Sequence, residues 1–210
     1  KWIYAVRVKP ASGFSLSIDG ALRIMSWLLA VALGLTTATV LRQRSELARL
    51  AGHDNLTGLP NRQQLDVHLK RAVSAHARDA SRQVGALFID LDNFKEINDT
   101  QGHASGDIAL QVAAERIRAE IRNSDTLARW GGDEFVAVIE QANEAMLEQL
   151  AERLIARIEQ PFDAFGVTLR MSASIGRALL PAASATPQAL LELADRHMYE
   201  EKQRRKTDCR

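Results

Sequence analysis

The sequence predicts a domain of the α/β or α+β class, in which helices flank a central sheet, preceded by one apolar helix. Three observations lead to this expectation. Residues 24–41 form an uncharged run of 18 residues, residues 83–91 form an apolar run typical of a buried strand, and from residue 54 onward strand patterns alternate with helix patterns. The 210 residues are enough for one domain of about 150–170 residues and an additional segment.

The composition is that of a packed globular domain. Hydrophobic residues make up 46% of the chain and charged residues 25%, which excludes a wholly disordered protein. The 27 basic and 26 acidic residues leave a net charge of +1, and this argues against nucleic-acid binding, which usually requires a basic excess. The single cysteine, Cys209, can build neither a disulfide framework nor a thiolate metal cluster.

The uncharged run at 24–41 is just long enough to cross the hydrocarbon core of a bilayer and predicts a transmembrane helix. A buried core helix is the alternative, whereas a cleaved signal peptide fits poorly because 23 residues precede the run. Arg42 and Arg44 follow it, which favours a cytoplasmic location for the later residues. We therefore expect an inner-membrane protein, single-pass or multi-pass. Residues 1–20 would be the end of a truncated extracytoplasmic region, with a possible strand at 2–8.

The remaining elements follow in order. Residues 42–53 contain good helix formers and no proline, which predicts a linker helix, and the domain proper is expected at 54–210. The glycine pair 131–132 between two apolar runs predicts a β-hairpin. In full, we expect helices at 61–80, 95–121 (broken near 101–106), 143–160 and 186–206, and strands at 83–91, 127–130, 134–140 and, one or two of them, within 167–180.

Two groups of carboxylates lie at predicted strand ends. Asp90 and Asp92 close the strand at 83–91, where they would hold a cation beside a phosphate or, alternatively, cap the next helix. Asp133 and Glu134 follow the glycine pair, whose lack of side chains would let a nucleotide lie on the backbone. Taken alone, this second group is better explained as a solvated turn.

Both groups together change the interpretation, because adjoining strand ends would supply the hard oxygen ligands of a magnesium–triphosphate site. Asn98 and Asp107 follow at a distance that would place an amide and a carboxylate near the same cleft. These groups accept hydrogen bonds from the ring N–H and the exocyclic amine of guanine. Competing patterns, such as a Ser-His-Asp order or a glycine-rich phosphate loop, are not seen in the sequence.

Three motifs resemble one known family. The segments 54–62 (DNLTGLPNR), 88–107 (FIDLDNFKEINDTQGHASGD) and 129–135 (RWGGDEF) occur in the order found in GGDEF diguanylate cyclases, and the resemblance spans residues 50–206. It implies a palm-like, mostly antiparallel sheet flanked by helices. It also implies that two GTP molecules condense into cyclic di-GMP and two pyrophosphates where two copies of the chain meet.

The resemblance also implies roles for individual residues. Two Mg²⁺ or Mn²⁺ ions would be bound by Asp90, the carbonyl of Leu91, Asp133 and Glu134. Asp133 would also be the general base. The expected GTP-binding residues are Asn98 and Asp107 for guanine, Phe94, Lys95 and Lys202 for the phosphates, and Gly131, Gly132 and His103 in the same nucleotide site. The alternative role for His103 is that of a histidine packed locally at the start of a helix.

Two further features bear on regulation and activity. Arg122 and Asp125 match the RxxD site through which the family's product inhibits the enzyme, although such a pair is also typical of a surface i,i+3 ion pair. The last helix departs from the family pattern with Glu201 in place of alanine and Arg205-Lys206 in place of Gly-Arg, so that Lys206 would replace the arginine as a charge. A catalytically silent receptor for cyclic di-GMP and a pure interaction domain are the alternative functions.

Overall fold

The computed structural model describes residues 18–50, 52–79, 83–180 and 186–208, and the possible strand at 2–8 lies outside them. The chain divides into two compact units, Lys1–Ala48 and Arg49–Arg210. Its elements are α1 (Ile18–Leu50), α2 (Arg62–Arg78), β1 (Val84–Asp92), α3 (Phe94–Gln101), α4 (His103–Glu120), β2 (Thr126–Gly131), β3 (Glu134–Glu140), α5 (Glu144–Ile158), β4 (Phe162–Ala164), β5 (Val167–Leu169), β6 (Ser172–Leu179) and α6 (Pro187–Asp208).

In its described part, the first unit consists of helix α1 as far as Ala48. By length and composition its stretch Leu22–Leu41 is able to cross a membrane, and none of that stretch is buried. The predicted span of 24–41 lies inside it. The helix is continuous to Leu50, and Gly52, with φ +72°, already lies outside it, so the helix stops short of residue 53.

The second unit is built on a four-stranded sheet of order β2-β3-β1-β6, in which every neighbouring pair is antiparallel. This makes the domain α+β rather than α/β. Strand β1 is central, and its side chains are buried from Val84 to Leu91, which explains the uninterrupted apolar run in the sequence. A separate two-stranded sheet pairs β4 with β5, and its first strand was not predicted.

Two hydrophobic cores cover the two faces of the sheet. One joins alternate residues of β1 and β3, such as Leu87, Ile89 and Phe135, to α4 and α5. The other joins the intervening residues, such as Phe88 and Val136, to α2 and α6. Because side chains alternate along a strand, Asp90 lies on the same face as Phe88 and therefore points toward the α2 and α6 layer.

The turns and caps agree with the local sequence. Asn61 caps α2, since its side-chain oxygen accepts a hydrogen bond from the backbone N–H of Gln64 at 3.1 Å. The predicted break near 101–106 occurs at Gly102, whose φ of +82° ends α3 and allows α4 to start in a new direction.

Candidate functional site

The structure brings the two predicted groups of carboxylates together. In the antiparallel register of β1 and β3, Asp90 lies directly opposite Glu134. The backbone N–H of Leu91 donates to the carbonyl oxygen of Asp133 at 3.2 Å, which fixes the start of the turn beside the end of β1. Residues 42 and 44 positions apart in the chain are thus neighbours at one edge of the sheet, because the hairpin folds back along the central strand.

Helix α6 adds a cation to this edge. The Nζ of Lys202 lies 2.5 Å from Oδ1 of Asp90, whose residue is only 8% exposed. The neighbouring Asp92 accepts hydrogen bonds from the hydroxyl groups of Ser172 and Ser174 at 3.2 and 2.8 Å. The two aspartates therefore have different partners, and only Asp90 is neutralised by an opposite charge.

Negative charge exceeds positive charge at this edge, and both burial and this charge excess shift the pKa values of its residues. Burial raises the pKa of Asp90, and the charge of Asp133 raises it further, so that the opposing effect of Lys202 is outweighed. Burial also raises the pKa of Glu134, followed by the charges of Asp90, Asp133 and Asp195. Burial lowers the pKa of Lys202, but its bond to Asp90 and the surrounding carboxylates leave that pKa above its ordinary value. Such a site favours additional cations.

The donor set fits a divalent cation of the hard type. Carboxylate and carbonyl oxygens are the ligands that Mg²⁺ prefers, and these residues offer them with excess negative charge. Within the described residues, no group of three or more His, Cys, Asp or Glu side chains is already arranged to hold a metal ion. The ammonium group of Lys202 instead lies against Oδ1 of Asp90.

A cleft of about 600 Å³ adjoins the carboxylates, and it contains three basic side chains. Lys95 and Lys202 were expected there, and Arg205 was not. The guanidinium of Arg205 lies 3.6 Å from the carboxylate of Glu159, which also lines the cleft. The side chain of Lys206, the expected replacement charge, lies outside the described residues. The cleft is lined by Leu91, Asp92, Asn93, Phe94, Lys95, Asp133, Glu159, Ser172, Lys202 and Arg205.

The proposed guanine-binding residues lie on adjacent helices. Asn98 is half-buried on α3, and its carboxamide lies over Gly106, the residue that precedes Asp107 on α4. The Asp107 side chain is exposed. His103 is exposed at the first position of α4 and, within the described part of the chain, is not among the residues that line the carboxylate cleft.

The glycine turn is held by Arg129. Its Nε and Nη2 donate to the carbonyl oxygen of Gly132 at 3.0 and 2.7 Å. Its Nη1 donates to both carboxylate oxygens of Asp54 at 3.0 and 3.1 Å. Burial raises the pKa of Asp54, but hydrogen bonds from Thr57 and the guanidinium of Arg129 hold it below its ordinary value. The opening motif and the turn motif are therefore joined by one ion pair.

The two glycines of the turn face a second cleft of about 820 Å³. Trp130 lines it, with the Arg62 guanidinium 4.0 Å above the centre of the indole and Phe88 packed edge-on at 5.9 Å. Gly132 has φ +53°, a conformation that glycine adopts without strain. Gly131 and Gly132 line this second cleft, whereas Asp133, the next residue in the chain, lines the carboxylate cleft.

Comparison with known proteins identifies the domain. The family described as "Diguanylate cyclase, GGDEF domain" matches residues 51–208. The chain belongs to the GGDEF family. The relationship extends over the whole second unit apart from its first and last residues.

Relatives of this GGDEF domain include proteins with different activities in their names. It is 49% identical over 161 residues to the bifunctional diguanylate cyclase/cyclic di-GMP phosphodiesterase MucR of Pseudomonas aeruginosa, covering 77% of this chain and 23% of MucR. It is 45% identical over 162 residues to the diguanylate cyclase TpbB of the same species, covering 75% of this chain and 36% of TpbB. The chain therefore spans only a minor part of these relatives.

Solved structures have the same fold. The GGDEF domain of TpbB superposes with a TM-score of 0.69 at 44% identity, covering 72% of this chain and 89% of that fragment. The coiled coil and GGDEF domain of DgcB from Caulobacter crescentus, in complex with c-di-GMP, gives a TM-score of 0.69 at 25% identity, covering 83% of this chain and 94% of the other.

The RxxD segment of this GGDEF domain has an unexpected internal structure. Asp125 is 5% exposed, and its two carboxylate oxygens accept hydrogen bonds from the backbone N–H groups of Arg122 at 3.0 Å and Glu140 at 3.2 Å. The Arg122 side chain is exposed. A hollow of about 170 Å³ includes both residues together with Arg153. Asp125 thus stabilises the turn before β2, and Arg122 is the member of the motif that faces solvent.

Sequence reasoning missed three features of the GGDEF site. The Asp54–Arg129 pair lay inside recognised motifs, but its 75-residue separation gave no signal of contact. Gly106 also lay inside a motif, and its role depends on how α3 packs on α4. Arg205 could have been found from the departure of the last helix from the family pattern, since an arginine replaces a glycine there.

Proposed function

We propose that this GGDEF domain is an active diguanylate cyclase, which condenses two GTP molecules into cyclic di-GMP and two pyrophosphates at a homodimer interface. The observation that carries the proposal is the meeting of Asp90, Asp133 and Glu134 at one edge of the sheet, beside a cleft with three basic side chains. Carboxylates flanked by cations suit a metal-bound triphosphate, because each charge then has a partner.

Asp90, the carbonyl of Leu91, Asp133 and Glu134 would hold two Mg²⁺ or Mn²⁺ ions. When bound, such ions neutralise the triphosphate and stabilise the leaving group. Lys202 and Lys95, with the backbone N–H groups near Phe94, would bind the phosphates in the cleft that they line. Arg205 adds a third cation there and is part of the proposal, because its guanidinium suits phosphate oxygens.

The chemical step needs a base near the nucleophile. The 3′-hydroxyl of one GTP attacks the α-phosphorus of the other, pyrophosphate leaves, and the hydroxyl proton passes to a carboxylate. Asp133 is the proposed base, and Glu134, whose pKa is raised by burial and by its acidic neighbours, assists at the same place. Holding the two nucleotides face to face in a dimer converts a rare encounter into an oriented reaction.

Recognition of guanine falls to Asn98 and Asp107. Their positions on α3 and α4 support this role, because the carboxamide of Asn98 lies over Gly106, the residue next to Asp107 in the chain. His103, Gly131 and Gly132 are proposed to contact the nucleotide on the basis of the family resemblance. The two glycines would do so through their backbone, since neither has a side chain.

Product inhibition is proposed through Arg122 and Asp125. Arg122 offers an exposed guanidinium to a phosphate-bearing ligand, and Arg153, which pairs with Glu120 at 3.4 Å, lies in the same hollow. Asp125 is proposed to contribute mainly by shaping the turn. The DgcB structure, which contains c-di-GMP, is consistent with a product-binding role in this family.

Helix α1 is proposed to tether the domain to the inner membrane, with the GGDEF domain in the cytoplasm. Its 20-residue stretch Leu22–Leu41 has the necessary length and composition, and its side chains are exposed. No nucleic-acid partner is proposed, because the net charge is +1.

The decisive experiment measures cyclic di-GMP formed from GTP and Mg²⁺ by the purified chain over a range of protein concentrations. We expect product from the wild type, with a specific activity that rises with concentration as dimers form, and none from D133A or D90A. E152A, which removes an exposed carboxylate on α5, is the matched control and should be as active as the wild type. Tight product binding without turnover would identify a receptor instead.

A further inference from the structure

Gly106 and Asn98 share one small space between α3 and α4. A Cβ atom placed on Gly106 would lie 2.0 Å from Oδ1 of Asn98 and 2.9 Å from its Cγ. It would also lie 3.3 Å from Cζ of Phe94. The carboxamide of Asn98 therefore occupies the volume that any other residue at position 106 would fill with its side chain.

The backbone does not explain why this residue is glycine. Gly106 lies inside α4, and it is not among the glycines with positive φ. Glycine is unfavourable inside a helix, where alanine is the best residue, so the helix alone would prefer a side chain at this position. Gly106 is also buried, and Asp107 follows it directly. What the position requires is space for the neighbouring carboxamide.

We propose that Gly106 is a positioning residue that seats the carboxamide of Asn98 beside Asp107 and thereby sets the selectivity of the site for guanine. This inference rests on the proposed function, in which Asn98 contacts the base. Gly106 itself touches no substrate. Its missing side chain leaves space for the carboxamide of Asn98, so a substitution at position 106 would affect binding of the base through Asn98.

A methyl group at position 106 would displace the carboxamide by more than 1 Å, since ordinary contacts between such atoms begin near 3.4 Å. The atom that must move is the far end of a side chain, so the helix itself is expected to remain intact. The length of a hydrogen bond varies by only a few tenths of an ångström. A displacement of more than 1 Å therefore breaks the hydrogen bonds from Asn98 to a bound base. The loss of one or two such bonds corresponds to about tenfold weaker binding.

The test is a double-mutant cycle of G106A and N98A, measured on the full chain by calorimetric binding of non-hydrolysable GTP and ATP analogues with Mg²⁺. We expect G106A to weaken binding of the GTP analogue about tenfold and to change binding of the ATP analogue less than twofold. In the N98A background, where the obstructed carboxamide is gone, G106A should change neither affinity more than twofold. Thermal unfolding of each variant is measured in parallel, and G106A should melt at or above the wild-type temperature.

Two results would overturn the inference. If G106A leaves binding of the GTP analogue unchanged, the space at position 106 is not needed to seat Asn98. If G106A weakens binding equally with and without Asn98, the glycine acts through another contact. Failure of the proposed function looks different, because the wild-type chain would then bind no GTP analogue at all, which would refute both statements together.

Discussion

The ion pair between Asp54 and Arg129 offers a sharp test of how the glycine turn is held. Replacing Arg129 by alanine removes four hydrogen bonds, two to the Asp54 carboxylate and two to the carbonyl of Gly132. The side chains of the pair are 14% and 24% exposed, so solvent screens them only in part. We expect a loss of about 2–3 kcal/mol in unfolding free energy, since hydrogen bonds to charged groups contribute about 1.5–3 kcal/mol.

The assay is urea unfolding of the wild type, R129A, D54A and the double variant. The coupling energy of the cycle should be about 1–2 kcal/mol, because Asp54 keeps its bonds from Thr57 when the arginine is lost. The melting temperature of R129A should fall by roughly 4–12 °C in a domain of this size. Displacement of the turn should also lower kcat by roughly ten- to a hundredfold. R129K, which keeps the charge but not the forked geometry, should lie between R129A and the wild type.

The pH dependence of this pair follows from the lowered pKa of Asp54. A carboxyl group whose pKa is lower in the folded state stabilises the fold above its unfolded value and loses that contribution as the pH falls through the folded value. The stability difference between the wild type and D54N should therefore be constant from pH 7 to 5 and should decrease only below its ordinary value of 3.8. A coupling energy below about 0.5 kcal/mol, or a difference that already decreases at pH 6, would refute this account of the turn.

Four other substitutions separate structural from ligand-binding roles. G176A should lower the free energy of unfolding by about 1–3 kcal/mol, because its Cβ would lie 2.0 and 2.2 Å from backbone atoms of α6. Urea unfolding measures this, and a variant as stable as the wild type would contradict it. D125A should lower the melting temperature, because two backbone N–H groups lose their acceptor. R122A should leave the melting temperature within a degree or two but raise the cyclic di-GMP concentration needed for inhibition. R205A should raise KM for GTP several-fold with little change in kcat, whereas R204A, on an exposed part of the same helix, should change neither.

Elements with strong local signals were predicted well. The apolar run of β1, the glycine pair between β2 and β3 and the break at Gly102 each depend on a few consecutive residues, and the structure confirms all three. Strand β4 was missed because three residues are too few to display an alternating pattern, and its pairing with β5 decides its conformation.

Contacts between distant segments were less accessible to sequence reasoning. The meeting of Asp90 with Glu134 could be anticipated, because adjacent strand ends and a shared motif pointed to it. The contact between Asp90 and Lys202 joins residues 112 positions apart and depends on how α6 packs on the sheet. The partners of the Asp125 carboxylate are backbone N–H groups. Every residue type except proline has such a group, so the order of residue types does not predict these hydrogen bonds.

The close packing of α6 on β6 has a consequence for the proposed binding of substrate. At Gly176 the strand approaches the helix so tightly that backbone meets backbone, and Asp195 and Lys202 extend from that same helix. The helix backbone at these positions is therefore fixed when the chain folds, and the Lys202 side chain is also held by its bond to Asp90. In the proposed cyclase, an incoming nucleotide would meet an ammonium group that is already held beside Asp90, so little of its binding energy would be consumed in ordering that side chain.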